Sequence, residues 1–440
     1  MAVTRHYTRL RFVRVMAAVS EKGRGGQVRI LFIHQNFPAQ FQHLAPALRA
    51  RGHEIFALTA ENNRQVSNIP TAHYRFQPHS YEPNALGLAK TYAGMVDRGQ
   101  TVARACAQIG KRDNFEPDVV VGHIGWGETL FLKEVWPKAR VLLYSEFFYN
   151  PRDTLQTFDP EFAQNDLATR LWVASRQAHL LQALYGADAY LTPTHWQASG
   201  FPESVRPRMS VIHDGIDTAR LTPDTFARVT LPGTTRSFGK GDEVLTFVSR
   251  TLEPYRGYHV FMRALPAVLA ARPKAHVVIV GGDDGGYGLS PPKGTTWHQK
   301  FFEEVAGRLD LSRVHVTGRV PFDTFTALMC VTRVHAYLSY PFVLSWSMLQ
   351  AMSCGALVVG SRTPPVEEVI AEGVNGRLVD FFDVEGWSAA LIAALADPEK
   401  DDELRVAVRR TIVERYDLQT RCLPQQISLV EAQGAIRPAG

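Results

Sequence analysis

From Val28 onward, short runs of β-branched and apolar residues alternate with amphipathic stretches of helical length, and this alternation happens twice. The first series predicts strands over 28–33, 54–59, 118–122, 140–144, 188–192 and 209–212, with helices near 39–51, 85–110, 127–135 and 161–186. The second predicts strands over 244–249, 275–281, 313–316, 333–338 and 356–360, with helices near 257–271, 297–308, 321–330, 345–353 and 384–396. Strands that alternate with helices build parallel sheets covered on both faces, because a parallel pair needs a crossover long enough to hold a helix. The expected fold is therefore α/β, with two doubly wound, Rossmann-like domains. In such sheets ligands bind outside the carboxyl ends of the strands, so two in tandem are expected to face each other across a ligand-binding cleft.

Domain boundaries follow from where the pattern fails. The expected first domain covers 28–217. Residues 218–243 carry Pro223, Pro232, Gly233, Gly239 and Gly241 with few apolar residues, and read as a linker. The second domain is expected over 244–398, and the final helices, about 400–416 and 418–432 within 399–440, are candidates to cross back onto the first domain. The first 27 residues hold six arginines and lysines against Glu21 alone, and Arg14 interrupts the only apolar run, so a basic disordered tail is expected rather than a signal peptide. Met16 and Val28 are candidate natural starts.

With 440 residues, 45% of them apolar, the chain has material for two or three full cores, which excludes a disordered chain. Apolar runs fall short of the roughly twenty residues that a membrane-spanning helix needs. The four cysteines, Cys106, Cys330, Cys354 and Cys422, lack metal-binding or redox spacing and fit a reducing, cytoplasmic setting. A net charge of +5 suits an anionic substrate or peripheral contact with an anionic membrane, although solvated surface charge is the commoner explanation.

Missing motifs prune the chemistry. GxGxxG, GxxxxGK[ST], GxSxG and HExxH are all absent, which disfavours dehydrogenase, NTPase, hydrolase and metalloprotease readings. No two aspartates stand two apart, so the metal-holding DxD pair of sugar-diphosphate enzymes is missing, and no metal or cofactor is expected.

One segment does carry chemistry. Leu245-Thr-Phe-Val-Ser-Arg-Thr-Leu-Glu-Pro-Tyr-Arg-Gly257 runs a buried strand into a loop bearing Arg250 and Arg256, and two guanidiniums six apart can clamp a diphosphate. Here the chain resembles the family 4 glycosyltransferases of GT-B architecture, whose second domain opens with a strand, an arginine, and a Lys-Gly pair. Arg256 stands where the lysine would be. The resemblance continues through His315-Val-Thr-Gly-Arg-Val-Pro-Phe322, Ser339-Tyr-Pro-Phe-Val-Leu-Ser-Trp-Ser-Met-Leu-Gln-Ala-Met-Ser-Cys-Gly355, Pro365-Val-Glu-Glu-Val-Ile370 and Gly373-Val-Asn-Gly-Arg-Leu-Val379, in the family's order.

It implies a hexosyltransferase-like enzyme that moves a sugar from a nucleotide diphosphate sugar to an acceptor hydroxyl with retention, in polysaccharide, glycolipid or other glycoconjugate synthesis. The implied partners are the nucleotide sugar and a glycan, lipid-linked or small-molecule acceptor; nucleic acid is not among them. The implied catalytic residues are His123, Arg250 and Arg256, and the donor residues Ser345, Ser347, Gln350, Glu368 and Gly282. Gln35, Asn36 and Glu146 are the implied acceptor residues. The family's two glutamates, eight residues apart, are missing: Phe342 and Gln350 occupy their positions, and no acid occurs from Thr324 to Val366. Two rival readings remain open on this ground, a binding protein of this fold without turnover and a sugar-nucleotide epimerase of the same fold.

Overall fold

A computed structural model describes residues 11–12, 26–81, 86–151, 154–396 and 402–436. The chain divides into two compact units, the first formed by 1–153, 164–214 and 422–440, the second by 154–163 and 215–421.

Unit 1 is built on an eight-stranded sheet. Its strands are β1 (Arg11–Phe12), β2 (Arg29–Ile33), β3 (Glu54–Ala60), β4 (Thr71–Tyr74), β5 (Val119–His123), β6 (Arg140–Tyr144), β7 (Ala189–Thr192) and β8 (Met209–Val211). The order is β1-β4-β3-β2-β5-β6-β7-β8, parallel throughout except that β1 lies antiparallel on β4. Strand β5 is buried along its whole length, as the unbroken Val119-Val-Val run requires of a central strand covered on both faces. Helices α1 (Leu44–Ala50), α2 (Lys90–Arg112), α3 (Leu132–Val135), α4 (Leu167–Ser175), α5 (Gln177–Tyr185) and α6 (His195–Ser199) supply the cover. Val102, Ala105, Cys106 and Ile109 of α2 repeat at helical spacing and are all buried.

Unit 2 carries a hairpin, β9 (Arg228–Thr230) with β10 (Ser237–Gly239), and a six-stranded parallel sheet. The sheet strands are β11 (Val244–Thr251), β12 (His276–Gly282), β13 (Val314–Gly318), β14 (Val334–Tyr337), β15 (Leu357–Ser361) and β16 (Arg377–Val379), in the order β13-β12-β11-β14-β15-β16. Its helices are α7 (Tyr258–Ala271), α8 (Trp297–Ala306), α9 (Phe322–Val331), α10 (Trp346–Ser353), α11 (Pro364–Glu367), α12 (Val384–Ala396) and α13 (Asp402–Arg415). The last helix, α14 (Leu423–Ala435), belongs to unit 1, where Arg51 and His53 bind Glu431 at 2.7 and 2.9 Å.

The sheet order reverses direction once in each unit, between β2 and β5 in the first and between β11 and β14 in the second. Loops leaving these neighbouring strands part to opposite sides and leave room for a ligand.

Several elements depart from the sequence reading. The stretch read as one helix over 161–186 is two helices, α4 and α5. The segment before them, 154–163, packs with unit 2 although it was read as part of the first domain. The linker contains the β9–β10 hairpin, because Val229, Leu231 and Phe238 are buried among the apolar residues of unit 2. Strands β4 and β16 were not expected, being too short to show a period. Of the basic tail, Arg11–Phe12 pairs with the edge strand β4, whereas 1–10 and 13–25 lie outside the described residues.

Candidate functional site

The switch point of unit 1 gathers polar residues onto the ends of three adjacent strands. His34 and His123 leave β2 and β5 side by side, their rings 5.3 Å apart and edge to face. Only 3% of His123 is exposed, and its Nδ1 accepts the main-chain N–H of Gly125 at 3.0 Å. A neutral ring that accepts at Nδ1 carries its proton on Nε2. That Nε2 lies 3.4 Å from Glu146 Oε2, without the alignment of a hydrogen bond. His34 Nδ1 likewise accepts from Asn36 N at 2.9 Å. Burial, and then the neighbouring His123, pushes the His34 imidazole down to about 3, so it is neutral at ordinary pH.

Beneath these rings lies a carboxyl group that the sequence reading did not single out. Glu128 is fully buried, accepts from Tyr74 Oη at 2.6 Å and from the main-chain N–H of Gln35 at 3.2 Å. Burial pushes its carboxyl up to about 7, against the opposing pull of the Tyr74 hydroxyl, Arg98 and His123. Arg98 in turn donates to Gln35 Oε1. Glu128 therefore fixes the loop after β2 from below, while Asn36 is exposed and Glu146 is partly exposed beside Gln40, at 3.4 Å. Nothing local marks Glu128; its partner Tyr74 is 54 residues away.

Unit 2 has the same plan. Strand β11 ends at Thr251 with Arg250 exposed, and a tight turn, Pro254–Arg256, leads into α7. Gly257 makes that turn at φ +66°, where a Cβ would stand 2.2 Å from Leu338 Cβ, which accounts for the glycine that ends the motif. Arg256 is 7% exposed, and its Nη1 donates to Ser339 Oγ at 3.1 Å and to the Val343 carbonyl at 2.9 Å. Both acceptors sit in the loop after β14. Phe342, at the place of the family's first glutamate, is 4% exposed, 5.4 Å under the Arg256 guanidinium and 5.0 Å from the Tyr287 ring.

A carboxylate does stand near Arg256, but it comes from another element. Glu253 is buried, which raises its pKa, and it accepts the main-chain N–H groups of Tyr287 at 3.0 Å and Gly288 at 3.3 Å. The glycine-rich loop after β12 is thus fastened to the Arg256 turn, with Tyr287 Oη 3.5 Å from Arg250 Nη1. Gly282 begins that loop, where a Cβ would meet Asp284 Oδ1 at 2.8 Å. Across from it, Ser345 caps α10 and its N–H donates to Tyr337 Oη at 2.8 Å. Ser347 Oγ lies 3.1 Å from Ser345 Oγ.

Arg250, Arg256, Gly282, Ser345 and Ser347 therefore occupy strand ends, a turn and a helix start at the carboxyl side of β11, β12 and β14. The other two residues are placed differently. Gln350 is half-buried on α10, and its side-chain amide makes no hydrogen bond among the described residues. Glu368 ends α11, and its carbonyl accepts from Arg415 at 3.2 Å. Among the described residues no group of three or more His, Cys, Asp or Glu is arranged to hold a metal ion, and no helix is long and apolar enough to cross a membrane.

Comparison with known proteins agrees with this plan. Residues 51–221 match the model of the glycosyl transferase family 4 group, and residues 242–397 that of glycosyl transferases group 1. The chain is 28% identical over 242 residues to a GDP-mannose-dependent alpha-(1-6)-phosphatidylinositol monomannoside mannosyltransferase of Mycolicibacterium smegmatis, covering 53% of this chain and 60% of that one. It is 32% identical over 179 residues to a phosphatidyl-myo-inositol mannosyltransferase of the same organism, covering 39% and 40%. The chain thus spans about half the length of the curated relatives it matches. Among solved structures it resembles Anabaena HepE in complex with UDP-glucose, at TM-score 0.64 and 16% identity, covering 92% of this chain and all of that one. The sucrose-phosphate synthase of Thermosynechococcus elongatus matches at TM-score 0.64 and 17% identity, over 92% of this chain and 99% of that one. By its matched segments and its two doubly wound sheets, the chain belongs to the family 4 glycosyltransferases of GT-B architecture.

Proposed function

We propose that the protein transfers a sugar from a nucleotide diphosphate sugar to an acceptor hydroxyl, with retention at the anomeric carbon and without a metal ion. The observation that carries the reading is the pair Arg250 and Arg256 at the switch point of unit 2, next to the start of α10. As the glycosidic bond breaks, negative charge gathers on the departing diphosphate, and guanidiniums beside a helix start stabilise it. Arg256 is already held in place by Ser339 and Val343, so little side-chain entropy is lost on binding. Gln350 takes the ribose as a neutral stand-in for the family's second glutamate, and Glu368 and the loop at Gly282 complete the donor contacts.

The acceptor is assigned to unit 1. There the Nε2–H of His123 is a donor, so His123 orients an oxygen of the substrate, and Glu146, the more exposed carboxylate, accepts from an acceptor hydroxyl. The loop Gln35-Asn36, braced by Glu128, supplies further polar contacts. The names of the mannosyltransferase relatives favour GDP-mannose as donor and an inositol-bearing lipid as acceptor, which accords with peripheral contact at the cytoplasmic face of a membrane.

The buried Phe342 favours one alternative, a protein that binds the nucleotide sugar without turning it over, since an aromatic ring offers a sugar hydroxyl no carboxylate acceptor. A thermal-shift panel of sugar nucleotides tests the common part of both readings. A ligand at about 100 times its Kd adds about 2.7 kcal/mol to stability. At least one donor is expected to raise Tm; no shift with any of them contradicts the assignment.

A further inference from the structure

The loop Ser339–Ser345 supplies both acceptors of Arg256, so whatever holds that loop governs the guanidinium. Part of the hold is internal: Ser339 N–H donates to Ser361 Oγ at 3.1 Å, and Tyr340 N–H to the Tyr255 carbonyl at 2.9 Å. The rest comes from 154–163, a piece of chain that in sequence lies between β6 and α4 of unit 1 yet packs as part of unit 2. Tyr340 Oη donates to Asp159 Oδ2, and Asp159 is 3% exposed. The same oxygen lies 2.9 Å from Nε2 of His259 on α7, itself 1% exposed.

A buried carboxylate is costly unless it is matched, and two partners on one oxygen match it here. Burial raises the Asp159 pKa, but the Tyr340 hydrogen bond and the His259 ring 2.9 Å away outweigh it and leave it lowered. Aromatic rings seat the segment on either side of it. Phe158 packs at 4.9 Å from Tyr340 and 5.1 Å from Phe381, and Phe162 at 5.5 Å from His259 and 5.3 Å from Trp297. Arg263 closes the far end with Glu161 at 2.6 Å, in partial contact with solvent. With Leu155 and Asp159 buried and the Phe158 and Phe162 rings seated against unit 2, the segment does more than connect two elements.

We propose that the 154–163 segment is a strap that positions the donor loop, with Asp159 as the positioning residue acting through Tyr340 on the acceptors of Arg256. The inference rests on the donor assignment above. It makes affinity for the nucleoside diphosphate depend on a residue that touches no ligand. Asp159 sets the height of Tyr340, Tyr340 sets the Ser339–Val343 backbone, and that backbone aims the guanidinium.

Calorimetric titration of UDP and of GDP into the full chain tests it, with Asp159→Ala, Tyr340→Phe, the double variant, Glu161→Gln and Arg250→Glu. Each of the first two is expected to weaken binding roughly tenfold, the worth of about one hydrogen bond, and the double variant no further than either. Glu161→Gln, which loosens only the solvent end of the strap, is expected to bind as the parent does. Tyr340→Phe keeps the ring and remains a fair test should Asp159→Ala fail to fold. Unchanged affinity in a folded Tyr340→Phe protein, or additive losses in the double variant, overturns the strap. If Arg250→Glu also binds normally, the donor assignment falls with it; if Arg250→Glu loses binding while Tyr340→Phe does not, the strap alone falls.

Discussion

Arg256 donates through one nitrogen to both Ser339 Oγ and the Val343 carbonyl, and so ties the turn after β11 to the loop after β14 across the switch point of unit 2. The residue that the sequence marks as half of a diphosphate clamp is thus also a buried structural strut. Its neighbour in the clamp, Arg250, is exposed and donates to Tyr287 Oη at 3.5 Å.

The two arginines should therefore respond differently to charge reversal. Arg250→Glu is expected to keep the parent Tm and lose nucleotide binding. Arg256→Glu places a second carboxylate beside buried Glu253 and is expected to lose about 3–5 kcal/mol of stability as well. Denaturant unfolding alongside titration separates the effects; equal stability of the two variants contradicts the buried strut. The burial of Arg256 is invisible in the sequence, because its partners Ser339 and Val343 lie more than eighty residues away.

Gln350 tests the family alignment of α10. If its amide takes the ribose, Gln350→Glu keeps or tightens binding of the nucleoside diphosphate and Gln350→Ala weakens it by about 1 kcal/mol. Equal affinity of all three proteins means that the ribose is held elsewhere.

On the acid side, stability should fall with buried imidazoles. Burial pushes His34 and His335 down to about 3, and His179 and His213 down to about 4. The unfolded chain takes up protons near pH 6.5 that the folded chain refuses, so stability declines as pH falls from about 6.5 toward 4. Urea midpoints across that window check the slope, and a flat profile contradicts it.

Glu128 contributes the opposite slope. Its folded carboxyl holds a proton up to about pH 7 that the unfolded chain releases near 4.5, so this group costs stability as pH rises through that window. The full difference is on the order of 3 kcal/mol. Glu128→Gln, which can still accept from Tyr74, is expected to be more stable than the parent at pH 8 and to lose most of that advantage at pH 4.5. A variant less stable at both pH values contradicts a protonated Glu128.

What was legible in the sequence was the sheet core and the loops that follow it. Val28-Arg-Ile-Leu-Phe-Ile33, Pro117-Asp-Val-Val-Val121 and Leu245-Thr-Phe-Val248 are runs that only a buried parallel strand explains, and each lies on a strand of the sheets. The arginines could be placed because they lie at the end of such a strand and in the turn that follows it. Glu128, Glu253 and Asp159 could not, since each takes its meaning from partners distant in sequence: Tyr74, Tyr287 and Tyr340. The hairpin of 228–239 was hidden for a related reason, because Pro232, Gly233 and Gly239 equal in number the three apolar residues that it buries.

Acceptor-dependent release of nucleoside diphosphate tests the central claim most directly. The protein is incubated with GDP-mannose or UDP-glucose, with and without an inositol-bearing lipid, and the free diphosphate is measured. The account predicts release that rises with acceptor and disappears in Arg250→Glu. Release that is identical in the parent and Arg250→Glu, or tight donor binding with no release under any acceptor, contradicts it.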